Sequence, residues 1–165
     1  VHVAVPRNSY FNAFDFEGVM YMPVTRNNND IETETQNINR KKQSIRISTA
    51  SRTFVDCIDR YRLCGGYEEI LKSLEGLGDV NLQGVLDILD IYSKDILRRA
   101  VGYILSLMID KSPYYGGFTE NDLDPIKDRI KNNKRYLVKK SHSKYIEKWK
   151  LYVPKDFENN LVGVR

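Results

Sequence analysis

The stretch from Ser44 to Met108 constrains the fold most, because a short strand-like run is followed there by four segments with helical spacing. Within each segment apolar residues recur every three or four positions, which is the pattern of a helix with one buried face. Gly65 and Gly66 separate the first two segments, and glycine readily adopts the positive φ at which helices end. The sequence therefore predicts a helical core that the chain enters from a strand.

The helix starts are predicted from residues that can cap them. Ser48 and Thr49 open the first helix, whose Phe54, Val55 and Ile58 face the core. Acidic residues after Thr119 predict a fifth start near that residue. The other helices are predicted as Tyr67–Leu74, a third capped by Asp79 or Asn81 with Leu82, Val85, Leu86 and Leu89 inward, and a fourth capped by Ser93 with Leu97, Val101, Ile104, Leu105 and Met108 inward.

Strand-like runs flank this helical core. Valine alternates with other residues from Val1 to Val5, which favours a strand. Tyr10–Phe16 is predicted as a loop or short helix, and Arg26–Asn39 as a loop or polar hairpin. The further strands are predicted at Gly18–Pro23, Ser44–Ile47, Tyr136–Val138 and Lys148–Val153. Residues 1–165 are thus predicted to form one mixed α/β (α+β) domain, a small, largely antiparallel sheet flanked by four to five helices.

The charge distribution favours a partner that carries phosphates. The 26 Lys and Arg residues exceed the 22 Asp and Glu residues, and the basic excess is dense between Lys127 and Lys150. Clustered cations bind nucleic acid largely through counterion release, although a solvated basic face is the alternative. Tyr136, Tyr145 and Trp149 lie among these cations and would stack on bases or fill the core. The candidate nucleic-acid-binding residues are Arg40, Lys41, Lys42, Arg46, Arg98, Arg99, Lys134, Arg135, Lys139 and Lys140.

The sequence offers few groups for catalysis or metal binding. His2 and His142 are its only histidines, and neither has a catalytic partner nearby in sequence. Cys57 and Cys64 do not make a zinc ligand set. Phosphate-binding and hydrolase motifs are missing from the sequence. We therefore expect no enzyme activity, no metal and no cofactor.

Two acidic pairs leave an enzymatic alternative open. Asp56 and Asp59 lie three residues apart on a predicted helix, as do Asp87 and Asp90. Such pairs lie on roughly one helix face and resemble the carboxylates of metal-dependent nucleases or nucleotidyltransferases. Surface acids on amphipathic helices are the simpler explanation.

The fourth helix carries two arginines within its apolar stripe. Neighbouring helix positions point about 100° apart. One of Arg98 and Arg99 is therefore expected to reach Asp95 or Asp56, while the other faces outward. Gly102 costs about 1 kcal/mol in a helix interior relative to alanine, so a close helix crossing is expected there.

Three of these runs together resemble a known family. They are IRISTASRTFVDCIDR from Ile45, GGYEEILKSL from Gly65 and ILRRAVGYILSLM from Ile96. Their order and spacing are similar to those of the AbiEi-type antitoxins, the transcriptional regulators of type IV toxin–antitoxin systems in abortive phage infection. Ala50 stands where many members favour proline. The residues that match the family motifs are Ser48, Arg52, Thr53, Asp56, Gly65, Gly66, Glu68, Arg98, Arg99, Gly102 and Tyr103.

The resemblance implies a C-terminal, non-enzymatic antitoxin domain that a winged helix-turn-helix would precede. Such a domain counters a nucleotidyltransferase-like toxin without a stable complex and supports binding of operator DNA through a positively charged surface. The absence of a signal peptide and of a long apolar run predicts a cytoplasmic protein without a membrane partner.

Overall fold

The computed structural model describes residues 1–9, 11–139 and 142–160, and the elements below lie within these ranges. The helices are α1 Asn28–Ile31, α2 Ala50–Asp59, α3 Tyr67–Glu75, α4 Leu82–Tyr92, α5 Asp95–Lys111 and α6 Asp124–Lys127. The strands are β1 His2–Pro6, β2 Phe14–Phe16, β3 Val19–Arg26, β4 Thr35–Arg40, β5 Gln43–Ser48, β6 Arg135–Tyr136, β7 Ser143–Ile146 and β8 Leu151–Pro154. Single 3-10 turns occupy Tyr61–Cys64, Pro113–Tyr115, Glu120–Leu123 and Phe157–Asn160.

The strands of the described ranges form three small sheets rather than one. Their orders are β1-β3-β2, β4-β5 and β6-β8-β7. Pairing is antiparallel except that β1 runs parallel to β3, and β6 parallel to β8. The predicted mixed α/β class with largely antiparallel pairing is confirmed.

Helices α2 to α5 form the core by burying the apolar stripes predicted from the sequence. Phe54 on α2, Leu71 on α3, Val85 on α4 and Ile104 on α5 are all 0% exposed. Helix α5 contacts α2 and α3, so it lies centrally among the helices. The third sheet adds Leu151 and other apolar side chains to the same core. This arrangement fixes the C-terminal sheet against the longest helix.

The helix boundaries follow the expected chemistry at most positions. The Thr49 hydroxyl accepts a hydrogen bond from the Arg52 N–H at 3.2 Å and so caps α2, while Ser48 remains in β5. Gly65 and Gly66 have φ of 81° and 91°, which permits the break before α3. The positive φ at both positions therefore explains why glycine is found there, as the sequence suggested.

The predicted cap of α4 is confirmed, and the predicted cap of α5 is wrong. Asn81 caps α4 by accepting a hydrogen bond from the Gly84 N–H at 3.1 Å. The predicted cap Ser93 is wrong, because Ser93 ends α4 in a left-handed conformation with φ 49°. Lys94 precedes α5 and gives it no side-chain cap.

Some short strands depart from the prediction. Phe14–Phe16 is strand β2, not a loop or short helix, because it pairs with β3. The polar stretch after Arg26 contains α1 and β4, and the hairpin forms between β4 and β5, the predicted strand at Ser44–Ile47, rather than within Arg26–Asn39. Strand β7 was missed in the lysine-rich segment, where cross-strand pairing with β8 decides the conformation. At Thr119 a capping box opens a 3-10 turn that leads into α6. Among the residues described here, none of the helices is long and apolar enough to cross a bilayer.

Candidate nucleic-acid interface

The C-terminal sheet is attached to the core through Arg99. This side chain is 0% exposed and its Nε donates to the Asp95 carboxylate at 2.8 Å. The rest of the guanidinium donates to backbone carbonyls of the segment that carries the sheet. These acceptors are the carbonyls of Lys131 at 2.7 Å, Asn133 at 2.7 Å, Trp149 at 3.4 Å and Lys150 at 2.9 Å, and the Asn133 amide oxygen at 2.9 Å. Arg99 therefore holds together the turn before β6 and the turn before β8.

Asp95 completes this attachment. Its carboxylate also accepts a hydrogen bond from the Lys131 N–H at 2.9 Å. Burial favours a higher pKa for the Asp95 carboxyl, but the hydrogen bonds from Lys131 and Arg99 outweigh it and lower that pKa. The carboxylate is thus ionised and paired wherever the domain is folded near neutral pH.

Gly102 lies one turn further along α5 and receives the Trp149 ring. A Cβ at this position would lie 2.2 Å from the ring, far inside van der Waals contact. The expected close helix crossing is wrong, because the partner is a side chain from the C-terminal sheet segment. Trp149 is 1% exposed, and its ring N–H donates to the Ser106 hydroxyl at 3.2 Å. Arg99 and Gly102 together form the socket for the sheet, and we call them the α5 socket.

Arg98 does not face outward as one of the two arginines was expected to do. It is 7% exposed and donates to the Asp90 carboxylate at 3.0 Å and to the Leu89 carbonyl at 3.2 Å. Arg98 and Arg99 were candidate nucleic-acid contacts, and their burial corrects that assignment. Both guanidiniums are turned into the protein, so neither is offered to a phosphate.

The outer face of the C-terminal sheet carries three tyrosines in one row across the strands. Tyr136 on β6 pairs with Tyr152 on β8, which pairs in turn with Tyr145 on β7. The Tyr136 and Tyr152 rings are stacked, with centroids 4.6 Å apart and planes at 15°. The Tyr145 and Tyr152 rings are tilted at a centroid distance of 4.9 Å. We call this row the tyrosine rung.

The opposite face of this sheet is buried, which fixes the direction of the rung. Leu151 and Val153 flank Tyr152 in β8, and both are 0% exposed. Sequence reasoning singled out two of the tyrosines but missed Tyr152. A signal was present, because each tyrosine is followed by an aliphatic residue in the runs RYL, KYI and LYV. That alternation places the tyrosine outward and its neighbour inward.

Three of the predicted cations are exposed in the segment that carries the tyrosine rung. The Lys134 ammonium lies 4.7 Å from the centroid of the Tyr145 ring. Arg135 is about half exposed and stays 4.0 Å from Asp95, and Lys139 is exposed. Lys140 lies outside the described residues. Lys134, Arg135 and Lys139 are therefore the predicted contacts that remain exposed in this segment.

Other cations of the same segment are already paired with acids from elsewhere in the fold. The pairs are Lys127 with Asp124, Arg129 with Asp90, Lys144 with Glu158 and Lys148 with Glu120. The positive surface is consequently narrower than the run of basic residues implies.

The β4–β5 hairpin carries the other predicted cations. Arg40, Lys41 and Lys42 are exposed at its tip, where both lysines have positive φ, 47° and 66°. Arg46 is paired with Glu32 at 2.8 Å on the surface. The tip therefore offers three exposed cations on a different sheet from the tyrosine rung.

The first family-like motif forms a buried charge network on α2. Asp56 accepts from Arg26 at 2.7 Å and from Arg52 at 3.4 Å, and Tyr92 donates to it as well. Arg52 also donates to the carbonyls of Ile31 and Thr33. The network ties the N-terminal strands to the helical core. Sequence reasoning missed Arg26, which no local pattern distinguishes from other cations.

Three of the four acids that suggested an enzyme, Asp56, Asp59 and Asp90, are paired with cations. Lys94 donates to Asp59 at 2.6 Å, and Arg26 lies 3.7 Å from the same carboxylate. In the second pair, Asp90 accepts from Arg129 and Arg98, and these hydrogen bonds, that from Arg129 above all, lower the pKa of Asp90. Across the described part of the chain no cluster of three or more His, Cys, Asp or Glu is placed to hold a metal ion.

The remaining family-like residues have structural contacts. Thr53 donates to the Thr49 carbonyl at 2.8 Å, and Ser48 shares a hydrogen bond with Thr53. Glu68 pairs with Lys72 one turn later on the exposed side of α3. Tyr103 is 3% exposed and donates to Glu158 at 2.7 Å.

A cavity of about 580 Å³ lies between β1, β3, the hairpin and α2. Its lining combines aliphatic residues with Arg26, Arg52 and Asp56 of the charge network. The thiols of Cys57 and Cys64 also line it, and burial raises the pKa of Cys57 to about 12. Cys57 is therefore a neutral thiol near neutral pH and a poor nucleophile.

In comparisons with known proteins, no protein-family model, no curated protein and no solved structure matches the chain. The resemblance to the AbiEi-type antitoxins therefore stays a prediction from the three sequence runs.

Proposed function

We propose that this chain is the antitoxin and regulator domain of an AbiEi-type, type IV toxin–antitoxin system, acting by binding rather than by catalysis. In this proposal the C-terminal sheet contacts the phosphates of operator DNA, in support of a preceding winged helix-turn-helix. The domain also counters a nucleotidyltransferase-like toxin in the cytoplasm without forming a stable complex with it.

The observation that carries the proposal is the α5 socket. Its two residues, Arg99 and Gly102, are the arginine and glycine of the third family-like run. Both contact the segment that bears the basic sheet, one through backbone carbonyls and one through Trp149. The arginine and the glycine of the motif therefore hold the basic sheet in a fixed position.

The exposed charge on this sheet suits a phosphate backbone. Lys134, Arg135 and Lys139 are exposed. Contacts of this kind position a protein on duplex DNA without reading its sequence. Sequence selection would then come from the winged helix-turn-helix that the resemblance implies. No observation favours the enzymatic alternative, since Asp56 and Asp59 are both paired with cations.

The DNA part is tested by the salt dependence of binding. The probe is a fluorescent duplex from the region upstream of the chain's own gene, and the readout is anisotropy over a series of salt concentrations. Two charge-matched variants are compared with the wild type. The sheet variant is Lys134→Gln, Arg135→Gln and Lys139→Gln, and the hairpin variant is Arg40→Gln, Lys41→Gln and Lys42→Gln.

The slope of log affinity against log salt changes by about 0.9 for each phosphate contact on duplex DNA. We therefore expect the sheet variant to lose about 2 to 3 units of slope, with weaker binding at low salt. The hairpin variant should keep a larger share of the salt slope and of the affinity at low salt. Wild-type binding that does not depend on salt, or an unchanged sheet variant, would contradict the proposal.

The antitoxin part is tested by growth. Co-expression with the nucleotidyltransferase-like protein encoded beside this chain should restore growth, and the two should not co-purify. Failure to restore growth would remove the antitoxin assignment. A stable complex would show that neutralisation works by capture instead.

A further inference from the structure

We propose that the tyrosine rung is a stacking site for an unpaired base, so that the C-terminal sheet binds single-stranded nucleic acid. The proposal goes beyond contact with duplex phosphates. It rests on the proposed function only in taking the same sheet as the nucleic-acid surface.

The rung ends at an open aromatic ring. Tyr136 lies on β6, an edge strand, and remains 49% exposed although Tyr152 covers one face of its ring. What remains uncovered is the opposite ring face together with the ring edge. A planar base placed there would extend the existing column of rings by one member. Base–aromatic stacking tolerates any sequence, because every base has a π face.

The other end of the column is less exposed, which gives the site a direction. Tyr145 is the ring at that end; it is partly buried, whereas Tyr136 is exposed, and the Lys134 ammonium lies 4.7 Å from the Tyr145 centroid. The base is therefore expected at Tyr136 and not at Tyr145. Lys134 precedes Tyr136 by two residues and its ammonium lies over the same row of rings, so this cation is available for the phosphate of a neighbouring nucleotide.

Rigidity also favours this use of the rung. The strand that carries Tyr136 begins directly after the turn bound by Arg99 through the Lys131 and Asn133 carbonyls. The middle strand carries Tyr152 between two fully buried residues, Leu151 and Val153. Little side-chain ordering is then needed when a base stacks, because the column is already formed.

Duplex DNA cannot use this site in the same way. Its bases are stacked on one another, so a duplex offers only backbone and groove edges to the sheet. A single strand offers both phosphates and free base faces. A stacking site should therefore prefer single-stranded to duplex nucleic acid, whereas a basic patch should not require free bases.

The experiment measures binding of three fluorescent probes to the chain by anisotropy. The first is a single strand of mixed sequence, about 12 nucleotides long, which is close to the site size of a small binding fold. The others are an abasic strand of the same length and the duplex form of the first strand. The protein variants are Tyr136→Leu, Tyr136→Phe and the control Tyr114→Leu. Tyr114 is 65% exposed in a 3-10 turn away from the sheet, so it controls for the loss of an exposed tyrosine.

We expect the wild type to bind the single strand more tightly than the abasic strand. Tyr136→Leu should weaken single-strand binding roughly 5- to 150-fold, the range for one stacked base, and should leave duplex binding nearly unchanged. Tyr136→Phe should restore most of the affinity because the ring is kept. Tyr114→Leu should behave as the wild type.

Equal affinity of the wild type for the normal and abasic strands would overturn the proposal, and this arm needs no variant to fold. Unchanged single-strand binding by Tyr136→Leu, or equal loss for both nucleic-acid forms, would overturn it as well. If the duplex binds with the expected salt dependence and the single strand shows no preference for bases, the stacking site is refuted while the proposed function stands. Absence of binding to all probes would remove both the stacking site and the DNA-binding part of the proposed function.

Discussion

Replacing Arg99 by methionine tests whether this arginine is a structural anchor. The guanidinium is 0% exposed and bonds to Asp95 and to the carbonyls of four residues in the sheet segment. Methionine retains much of the apolar volume but no donor. The change therefore leaves a buried carboxylate and several carbonyls without their partner.

The expected loss follows from these contacts. Removing one partner of a buried ion pair costs about 3–5 kcal/mol, and each stranded buried acceptor about 1–3 kcal/mol. The acceptors lie close to exposed residues such as Asn133, so water can replace some of the lost bonds. We therefore expect Arg99→Met to lower the free energy of unfolding by about 4 kcal/mol rather than by the full sum.

Urea denaturation followed by tryptophan fluorescence is a direct assay, since Trp149 is the only tryptophan and lies against the α5 socket. Arg98→Met is the matched control. Arg98 bonds to Asp90, whose side chain is 47% exposed, and to one carbonyl, so its loss should cost about 1–2 kcal/mol. A loss below about 1 kcal/mol for Arg99→Met, with weaker DNA binding, would refute the anchoring role and return Arg99 to the nucleic-acid surface.

Three further predictions concern the socket, the hairpin and acid stability. Gly102→Ala should destabilise by about 1–3 kcal/mol and shift the Trp149 emission, because the new Cβ meets the ring at 2.2 Å; unchanged emission would contradict the close contact. Lys41→Asn with Lys42→Gly should stabilise the hairpin by about 1 kcal/mol, since these residues suit the positive φ of 47° and 66°; slower amide exchange in β4 and β5 would show it, and faster exchange would count against it. The Asp95 pKa is lowered on folding, so its stabilisation is present above the unfolded value of 3.8 and is lost as the pH falls through the folded value. The free energy of unfolding should accordingly fall less for Asp95→Asn than for the wild type when the pH is lowered from about 6 to about 3. Equal falls for the two proteins would argue against the pairing of Asp95.

Local patterns in the sequence were sufficient for the helical core. The stripes on α2 to α5 follow from helical spacing, and the pairing of Arg99 with Asp95 follows from their separation of one helical turn. The break at Gly65 and Gly66 follows from the backbone freedom of glycine. Each of these features depends on residues that are close in sequence.

Features that depend on distant residues were not predictable. Arg26 meets Asp56 only because β3 lies against α2, and Trp149 meets Gly102 only because the third sheet docks on α5. Counting charges along the chain likewise overestimated the basic surface, since acids such as Glu120 reach Lys148 from another element. Arg98 was predicted to contact nucleic acid, but it is buried because its acidic partner lies on another helix.

The most direct test of the account is to locate the bound DNA on the domain by NMR, by titrating the labelled chain with the duplex from upstream of its own gene. The account predicts that the largest amide shift changes fall on β6 and the turn before it, around Lys134 and Arg135, and that they diminish in the sheet variant. Changes confined to the hairpin tip or to the cavity beside α2 would contradict it.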